Sequence, residues 1–426
     1  MVRIWDDLRP MPSERAYREQ IARLYERSPF YRDKLRAAGF ADAAAAGGLD
    51  GIAALPFTEK DELRNSQAAR PPLGAHAAIS INQAARIYST SGTSGAPLYI
   101  PLTKRDLGDW CEIATRSYAR SGAKPGERWI TTYNAGPFVA AAALAAFDAL
   151  GVTHIPVGTG HTEKILAALR SLSPDVLVCT PSYAMHIAES AAAHGIKKTT
   201  LRRIMVAGEP GGGEESFRRK LEAAFGAKVY EVMGIGDIAA SLWGECEHQA
   251  GMHFSGDGFI HVELIDPDTG KAKKLSDGET GELVYTHLRR EAAPLLRFRS
   301  RDHVMVWTAR CACGADTLRT RCIGRTDDML IVRGVNVFPS AVREVVARFQ
   351  PRVTGAIQIR PRRRGVKQDP PLAVLVEGEG DAALAGEIAK EIRDTLVFTP
   401  EVQLVKPQSL PRSEYKSKLV DFSEAT

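Results

Sequence analysis

The chain has 426 residues, of which 44% are hydrophobic and 25% are charged, and this composition is typical of globular proteins. Its net charge of +5 does not call for a nucleic-acid partner, and its most apolar run, residues 137–147, is too short to span a bilayer. The N-terminal sequence lacks a secretory apolar region, so we expect a cytoplasmic protein. The length predicts two or more domains.

The first part of the chain predicts helices and two short strands joined by a loop. Residues 13–38 carry apolar side chains at helical spacing, and Thr58 is the expected N-cap of a second helix. Short β-like runs at 85–88 and 97–102 flank a loop rich in Ser and Gly. Thr103 is the expected N-cap of the helix that follows.

From residue 129 to residue 232, strand and helix patterns alternate. The predicted strands are 129–133, 153–157, 175–179, 203–207 and 228–232, and the predicted helices are 137–150, 162–172, 181–194 and 213–225. Such alternation is typical of an α/β fold with a mainly parallel sheet and helices on its faces.

The pattern changes beyond residue 255. Strands predicted at 259–265, 281–286 and 303–308 are separated by turn signals, which favours an antiparallel β-rich subdomain. From about residue 328 onward, the order strand, helix, strand, strand, helix, strand predicts a compact α+β module. Its helices are predicted at 339–350 and 381–396.

The loop between the two short β-like runs has an unusual composition. Five of the seven residues from Ser89 to Gly95 are Ser or Thr, and the other two are Gly. Gly lets backbone N–H groups approach a ligand closely, and the hydroxyls add donors for phosphate oxygens. A turn with so many donors can bind an anion, although the Walker spacing is absent. The local composition also fits a flexible surface turn.

Five segments from residue 207 onward stand out by their sequence. They are 207–210 (AGEP), 278–286 (GETGELVYT), 296–302 (LRFRSRD), 324–339 (GRTDDMLIVRGVNVFP) and 411–418 (PRSEYKSK). In this order and spacing they resemble the adenylate-forming acyl-CoA synthetase superfamily, and within it the phenylacetate–CoA ligase family. The resemblance covers roughly residues 15–420.

The resemblance implies a large N-terminal adenylation domain, 1–326, with a β-rich subdomain at about 240–323, and a small mobile α+β domain, 327–426. It implies that a carboxylate attacks the α-phosphorus of ATP, giving an acyl-adenylate and pyrophosphate, and that the thiol of coenzyme A then displaces AMP. ATP, Mg²⁺ and coenzyme A are therefore expected, with an aryl or arylacetic acid as substrate. A homodimer is expected, without nucleic-acid or membrane partners.

The resemblance also implies roles for single residues around the nucleotide. Gly208, Glu209 and Pro210 would lie beside the adenine, although they also fit a plain strand-to-helix turn. Asp302 would accept hydrogen bonds from the ribose, and Arg325 would lie near the ribose and phosphate. An ion pair of Asp302 with Arg299 or Arg301 is the alternative. The loop residues that would hold the phosphates are Thr90, Ser91, Gly92, Thr93, Ser94 and Gly95.

Two further residues belong to the small domain and its connection. Asp327 matches the hinge about which that domain would rotate between the two half-reactions. Lys416 is the candidate catalytic lysine, since a long cationic side chain can bridge the carboxylate and the α-phosphate. Lys418 is the alternative, because Tyr415 stands where the family has Gly before the lysine.

The chain departs from the family pattern at two places. The phosphate loop has Ala96 where the family usually has Lys, which removes one cation from the leaving pyrophosphate. In the segment 232–238 (VMGIGDI), Met233 replaces an aromatic residue beside the adenine, Gly236 replaces a hydroxyl residue, and Asp237 replaces Glu as the Mg²⁺ ligand. These changes put ordinary catalytic efficiency in doubt, or they mark an adjusted substrate pose.

The acyl pocket is expected near residues 133–138 and near the backbone of Gly234 and Ile235. Small residues such as Gly136 leave room, while Tyr133 and Phe138 supply aromatic walls that suit an aromatic acid. Both aromatic side chains also fit a plain core role.

The six cysteines of this chain favour metal binding or reactivity over disulfides, because a cytosolic location is expected. Cys246, His253, Cys311 and Cys313 offer three sulfurs and one imidazole, which matches a tetrahedral structural Zn²⁺ site, and some relatives have a similar set. His248 is the alternative imidazole, and a set of buried or free thiols is the alternative interpretation. The other three cysteines are predicted core residues: Cys111, Cys179 and Cys322.

Three functions remain open at this point. The first is an ATP-dependent aryl-CoA ligase. The second is an adenylating enzyme that transfers the acyl group to a carrier-protein thiol or an amine. The third is a catalytically weak nucleotide-binding homologue, which the changes at Ala96, Gly236 and Asp237 favour and the retained Lys416 and Asp302 oppose.

Overall fold

The computed structural model describes residues 13–90, 97–133, 139–326, 329–333, 335–411 and 419–425, without the side chains of Val139 and Asn336. The helices in these ranges are α1 (Ser13–Arg27), α2 (Pro29–Ala37), α3 (Lys60–Ala69), α4 (Lys104–Arg120), α5 (Leu144–Leu150), α6 (Thr162–Ser171), α7 (Pro181–Ala193), α8 (Glu215–Phe225), α9 (Pro339–Ala347) and α10 (Ala382–Leu396). None of these described helices is long and apolar enough to cross a membrane.

The strands fall into one large sheet, a hairpin and two small sheets. They are β1 (Arg86–Ser89), β2 (Tyr99–Leu102), β3 (Arg128–Thr131), β4 (Thr153–Pro156), β5 (Val176–Cys179), β6 (Arg203–Val206), β7 (Lys228–Ile235), β8 (Ala239–Glu245), β9 (Met252–Phe254), β10 (Ile260–Ile265), β11 (Ala272–Lys273), β12 (Thr280–His287), β13 (Phe298–Trp307), β14 (Arg319–Arg325), β15 (Leu330–Val332), β16 (Val335–Val337), β17 (Val353–Arg360), β18 (Lys367–Gln368), β19 (Leu372–Gly378) and β20 (Pro400–Val405).

The large sheet has twelve strands in the order β11-β10-β12-β13-β14-β9-β8-β7-β6-β5-β3-β4. From β7 to β4 the pairing is parallel, and from β7 to β11 it is antiparallel. Strand β7 therefore joins the parallel half of the sheet to the antiparallel half. The predicted α/β class is confirmed, and the β-rich part continues the parallel sheet.

Helices cover both faces of the parallel half, as its buried strands require. Strand β5 is buried along its whole length. Helices α6, α7 and α8 pack on one face, and α4 and α5 pack on the other. The prediction of one helix over 137–150 is only partly right, because a 3₁₀ turn, Val139–Ala143, precedes α5.

The N-terminal helices differ from the sequence prediction in two details. The helical stretch 13–38 is divided at Ser28, whose hydroxyl accepts a hydrogen bond from Tyr31 N and caps α2. The expected cap at Thr58 is wrong. Thr58 instead pairs with Phe298 in a β-bridge and donates its hydroxyl hydrogen to the carbonyl of Leu296, so the cap of α3 moves to Glu59. The predicted cap at Thr103 is present.

The C-terminal part has its own hydrophobic core. Strands β17, β19 and β20 form one three-stranded sheet, and β15, β16 and β18 form another. Helices α9 and α10 contribute Val342, Val345, Ile388 and Ile392 to the core against these strands. The predicted order of elements is present, with α9 ending at Ala347 rather than at residue 350. The boundary at 327 stays a prediction, since residues 327–328 lie outside the described residues.

Candidate active site

Several predicted site residues lie where strands of the large sheet end. Strand β6 leads into the turn 207–210, and β7 carries Met233, Gly234 and Ile235 at its carboxyl end, followed by Asp237. Ligands of open α/β sheets bind at the carboxyl ends of the parallel strands. The fold thus brings the predicted adenine-side turn and the predicted Mg²⁺ ligand to the same edge of the sheet.

Asp237 is nearly buried and has one oxygen in an ion pair. Its Oδ2 lies 2.8 Å from Nζ of Lys60, the first residue of α3, and its side chain is 5% exposed. Its Oδ1 is buried and has no hydrogen-bond partner among the described residues. A buried carboxylate oxygen without a partner is costly unless a ligand satisfies it, and carboxylate oxygens are preferred Mg²⁺ ligands. The Oδ1 atom of Asp237 therefore fits the role of a ligand to the Mg²⁺ that the family implies.

Lys60, which contacts Asp237, was not among the residues that the sequence analysis singled out. It stands in the first turn of α3, where a cation is disfavoured by the helix dipole and carboxylates are favoured. That unfavourable position is the only local signal that marks it. The predicted phosphate loop has Ala96 where the family usually has lysine. In the described structure, Lys60 places an ammonium group against Asp237.

Asp302 and Arg325 lie side by side on β13 and β14. The register pairs the two residues, and Arg325 Nη1 lies 3.2 Å from Asp302 Oδ1. The alternative pairing of Asp302 with Arg299 or Arg301 is wrong, because those guanidinium groups contact Glu282 and Glu59. The Asp302 side chain is mostly buried and that of Arg325 is 38% exposed, so the cation is accessible to a ligand.

The turn after β6 is anchored to helix α7. Gly208 has a φ of +99°, a conformation that favours glycine. Glu209 accepts a hydrogen bond from Ser182 N at 2.7 Å, which places its carboxylate against the N-terminus of α7, where negative charge is stabilised. The interpretation of these residues as a turn is confirmed by this geometry, and the turn continues from Pro210 through residue 213 toward α8. Their contact with adenine stays a prediction.

The end of β7 is closely packed against β8. A Cβ atom at Gly234 would collide with the carbonyl of Ala240, so only glycine fits there. The register between the two strands shifts from Met233 to Ile235. Met233 is half-buried beside the core and Ile235 is buried in it. Close packing against β8 thus requires the glycine of the expected aromatic–Gly motif, Gly234. At the position of the aromatic residue, this chain has the flexible thioether side chain of Met233.

Tyr133 follows β3 and packs against the core between α4 and the sheet. The hydroxyl of the buried Tyr118 contacts it and also contacts Ser241. The interpretation of Tyr133 as a core residue is therefore supported, and its role in an acyl pocket stays a prediction.

Other predicted residues lie outside the described residues. From the phosphate loop only Thr90 is described, and its buried Oγ1 has no hydrogen-bond partner among the described residues. The predicted residues outside the described ranges are Ser91, Gly92, Thr93, Ser94, Gly95, Gly136, Phe138, Asp327 and Lys416, together with the alternative Lys418.

The predicted zinc ligands lie together. The ligand atoms of Cys246, His253, Cys311 and Cys313 all fall within 4.8 Å of one another. Cys246 Sγ lies 3.8 Å from Cys311 Sγ, and Cys313 Sγ lies 3.6 Å from His253 Nε2. A zinc tetrahedron with Zn–S bonds of about 2.3 Å has S–S edges of about 3.8 Å and slightly shorter S–N edges. The spacing of the four donors therefore fits Zn²⁺.

The second nitrogen of the histidine has its own partner. His253 Nδ1 lies 2.8 Å from Thr317 Oγ1, and a hydrogen bond of this kind orients a metal-binding imidazole. The alternative ligand His248 is half-exposed, lies beside Glu247 and is not part of the cluster in the described structure. Cys179 is buried in the core as predicted, whereas Cys111 and Cys322 are only partly buried.

Two carboxylates lie beneath the turn that follows β6. Burial and the nearby Glu245 raise the pKa of Glu231 to about 7. Glu245 Oε2 accepts hydrogen bonds from Glu231 N and from Arg218 Nη2, at 2.8 and 2.7 Å. Arg218 thus pairs with Glu245, while the carboxyl group of Glu231 is buried beside that carboxylate without an ion pair of its own among the described residues, so Glu231 holds a proton more readily than a free side chain does.

Comparison with known proteins now defines the class. The AMP-binding enzyme family matches residues 40–287, and the AMP-binding enzyme C-terminal domain matches residues 334–421. The phenylacetate-coenzyme A ligase of Thermus thermophilus is 36% identical, over 96% of this chain and 95% of that protein. The chain belongs to the AMP-binding enzyme family. It is an adenylate-forming acid–thiol ligase, and the resemblance inferred from its sequence is confirmed.

Solved structures show the same architecture. The crystal structure of 2-hydroxyisobutyryl-CoA ligase in the postadenylation state with R3-HIB-AMP has a TM-score of 0.87 at 26% identity, and the match covers 96% of this chain and 88% of that one. The structure of that ligase with 2-HIB-AMP and CoA in the thioesterification state has a TM-score of 0.70 at 26% identity, with coverages of 97% and 91%. The arrangement of this chain is thus more similar to the first state.

Proposed function

We propose that this ligase joins an aryl or arylacetic acid to coenzyme A, using ATP and Mg²⁺ and releasing AMP and pyrophosphate. The observation that carries the proposal is the buried Asp237 at the carboxyl edge of the sheet, with one oxygen paired to Lys60 and the other without a partner among the described residues. The substrate class rests on the name of the Thermus thermophilus relative, phenylacetate-coenzyme A ligase.

In the first half-reaction, a carboxylate oxygen of the acid forms a bond to the α-phosphorus while the bond to pyrophosphate breaks. Negative charge builds on the α-phosphate and on the leaving group, so cations fixed in advance lower the barrier. Lys60 and Lys416 would supply two of these cations. Mg²⁺ held by Asp237 would neutralise phosphate charge when bound.

The nucleotide would be positioned by residues on three strands. Asp302 would accept hydrogen bonds from the ribose hydroxyls, and its partner Arg325 would hold its orientation while facing the phosphate. Pro210 would lie in the turn beside the adenine. Residues 90–95 would donate hydrogen bonds to the β- and γ-phosphates.

In the second half-reaction, the thiol sulfur of coenzyme A bonds to the acyl carbon, and AMP leaves with the electron pair of the broken C–O bond. We assign the rotation between the two half-reactions to a small domain, 327–426, moving about Asp327 relative to the large domain, 1–326. The match of the C-terminal family domain to residues 334–421 supports this division.

We also propose that the Cys/His cluster binds one Zn²⁺ with a structural role. Four protein ligands leave no open position for water or substrate, so the ion would not take part in the reaction. It would connect β9 and the end of β8 to the turn between β13 and β14.

The test is pyrophosphate release from ATP with a panel of aryl, arylacetic and short aliphatic acids, with and without coenzyme A. The expected result is release with an aromatic acid, coupled to AMP and thioester when coenzyme A is present. Adenylation without thioester would instead favour a carrier-protein thiol or an amine as acceptor. Nucleotide binding without turnover of any acid would overturn the proposal and favour the weak homologue.

A further inference from the structure

Arg343, on the first turns of α9, is buried against the large domain. Its side chain is 9% exposed, and its guanidinium contacts Glu214, the residue before α8, at 2.6 Å from Nη2 to Oε1 and at 3.0 Å from Nε to Oε2. Its Nη2 also donates a hydrogen bond to the carbonyl of Pro210 at 2.8 Å. One side chain of the C-terminal part therefore binds two groups of the large domain.

Neighbouring contacts strengthen the same junction. Glu344 Oε2 lies 3.0 Å from Ser216 Oγ, and Lys220 Nζ donates a hydrogen bond to the carbonyl of Thr354 at 2.8 Å. The guanidinium of Arg343 also lies over the ring of Phe217, 5.3 Å from its centroid. Glu214 and helix α8 are thus held to the C-terminal part by an ion pair, by hydrogen bonds of Ser216 and Lys220, and by a cation–π contact.

The position of Pro210 gives this junction a consequence for the reaction. Pro210 belongs to the turn after β6 that we place beside the adenine. A buried guanidinium and a buried carboxylate are stable only while they remain paired, because each would otherwise be an uncompensated charge. Movement of the C-terminal part away from α8 breaks the pair and also releases the carbonyl of Pro210.

We propose that Arg343 is a positioning residue for the first half-reaction, coupling the adenine-side turn to the position of the small domain. This inference rests on the proposed function. The contact fixes the turn while the acyl-adenylate forms, and it must break before the small domain adopts the arrangement used by coenzyme A. The higher TM-score to the postadenylation state than to the thioesterification state of 2-hydroxyisobutyryl-CoA ligase agrees with this assignment.

The test separates the two half-reactions in the full-length enzyme. Arg343→Gln is expected to lower the rate of ATP–pyrophosphate exchange by about tenfold, a typical size for coupling between two sites. Thioester formation from a supplied acyl-adenylate and coenzyme A is expected to stay equal or to rise. Equal losses in both half-reactions, or no loss in either, would overturn the proposal.

Two other variants control for folding and for charge. Glu214→Gln removes the carboxylate partner of Arg343 and is also expected to slow ATP–pyrophosphate exchange. The double variant is expected to be no slower than Arg343→Gln alone. Additive losses would contradict the coupling. Arg352→Gln breaks an exposed pair with Glu387 within the small domain and is expected to change neither half-reaction.

Failure of this inference is distinguishable from failure of the proposed function. If the wild-type enzyme adenylates none of the acids, the proposed function fails, and calorimetry with AMP alone still tests Arg343. In that case Arg343→Gln is expected to weaken AMP affinity by about tenfold. Unchanged AMP affinity in such an enzyme would overturn the role of Arg343.

Discussion

The ammonium group of Lys60 lies 2.8 Å from the buried carboxylate of Asp237 and joins α3 to the segment after β7. The two residues are 177 positions apart in the chain. The pair places a cation beside the proposed Mg²⁺ ligand, in a chain whose predicted phosphate loop has Ala96 where the family usually has lysine.

Lys60→Gln is expected to lower the rate of acyl-adenylate formation by about a hundredfold, since loss of one preorganised charge at a site of developing charge has effects of this size. The measurement is ATP–pyrophosphate exchange at saturating acid. Lys34→Gln is the control, because Lys34 forms a comparable ion pair with Glu62 on the same helix as Lys60. Equal effects of both changes would assign Lys60 to stability rather than to catalysis.

Asp237→Asn is expected to raise the Mg²⁺ concentration needed for half-maximal pyrophosphate release. An amide keeps the shape of the side chain but removes the negative charge that a hard cation prefers. A Mg²⁺ titration of the variant and the wild type measures the shift, with the exposed Asp61→Asn as the control. An unchanged Mg²⁺ requirement would exclude Asp237 as a ligand.

Glu231→Gln is expected to flatten the pH dependence of stability. The pKa of Glu231 is raised to about 7, above its ordinary value of 4.5, so the folded state binds more protons than the unfolded state between these values. Its protonation therefore stabilises the fold at low pH, and that stability is lost as the pH rises toward 7.

The measurement for Glu231 is the free energy of unfolding from pH 5 to pH 8. A neutral glutamine avoids the buried charge, so the variant is expected to gain stability relative to the wild type as the pH rises. A difference between the two proteins that does not change with pH would contradict the raised pKa.

Metal analysis is expected to find one zinc ion per chain, lost in Cys311→Ser. Loss of a structural ion lowers stability, because binding free energy contributes to folding free energy. Thermal unfolding with and without a chelator measures this loss of stability. We expect the chelator to lower the unfolding temperature of the wild type but not that of Cys311→Ser. Cys111→Ser, at a half-buried cysteine outside the cluster, is expected to keep its zinc. A wild-type protein without zinc that is indifferent to chelators would refute the site.

Lys416→Ala is expected to reduce adenylation by about a hundredfold and to leave thioester formation from a supplied acyl-adenylate nearly unchanged, because the cation acts on charge that develops in the first half-reaction. Lys418→Ala is the matched comparison two residues away. A larger loss in Lys418→Ala would move the catalytic role to that residue.

The regular elements were predictable where the hydrophobic pattern was simple. The alternation from β3 to β7 follows from buried apolar strands with helices between them. Strand β14, with the sequence RTRCIGR, was not predicted, because it has three arginines and neither an apolar run nor an alternating pattern of burial. The cap of α3 was misplaced for another reason, since the hydroxyl of Thr58 is used by Leu296, which is distant in sequence.

Residues of the two candidate sites could be predicted where the sequence has a family motif or a group of metal-binding residue types. The four metal donors could be found from residue type, whereas their spacing in space depends on where β9 lies beside β14. The contact of Asp302 with Arg325 depends on the register of two strands, and that of Arg343 with Glu214 depends on how two domains pack. The local sequence around these residues does not predict such contacts, because the partners are far apart in the chain.

Strand β7 runs parallel to β6 and antiparallel to β8, and it carries Met233, Gly234 and Ile235 at its end. For protein engineering, this makes β7 a poor place for insertion, circular permutation or splitting of the chain, since a break there would leave two incomplete sheets. We expect variation aimed at new acids to be better directed to the predicted pocket residues 133–138, which follow β3 in the sequence. Strand β7 also carries Gly234 and Ile235, which we predict to lie beside the acyl group, so we expect substitutions there to disturb the sheet together with the pocket.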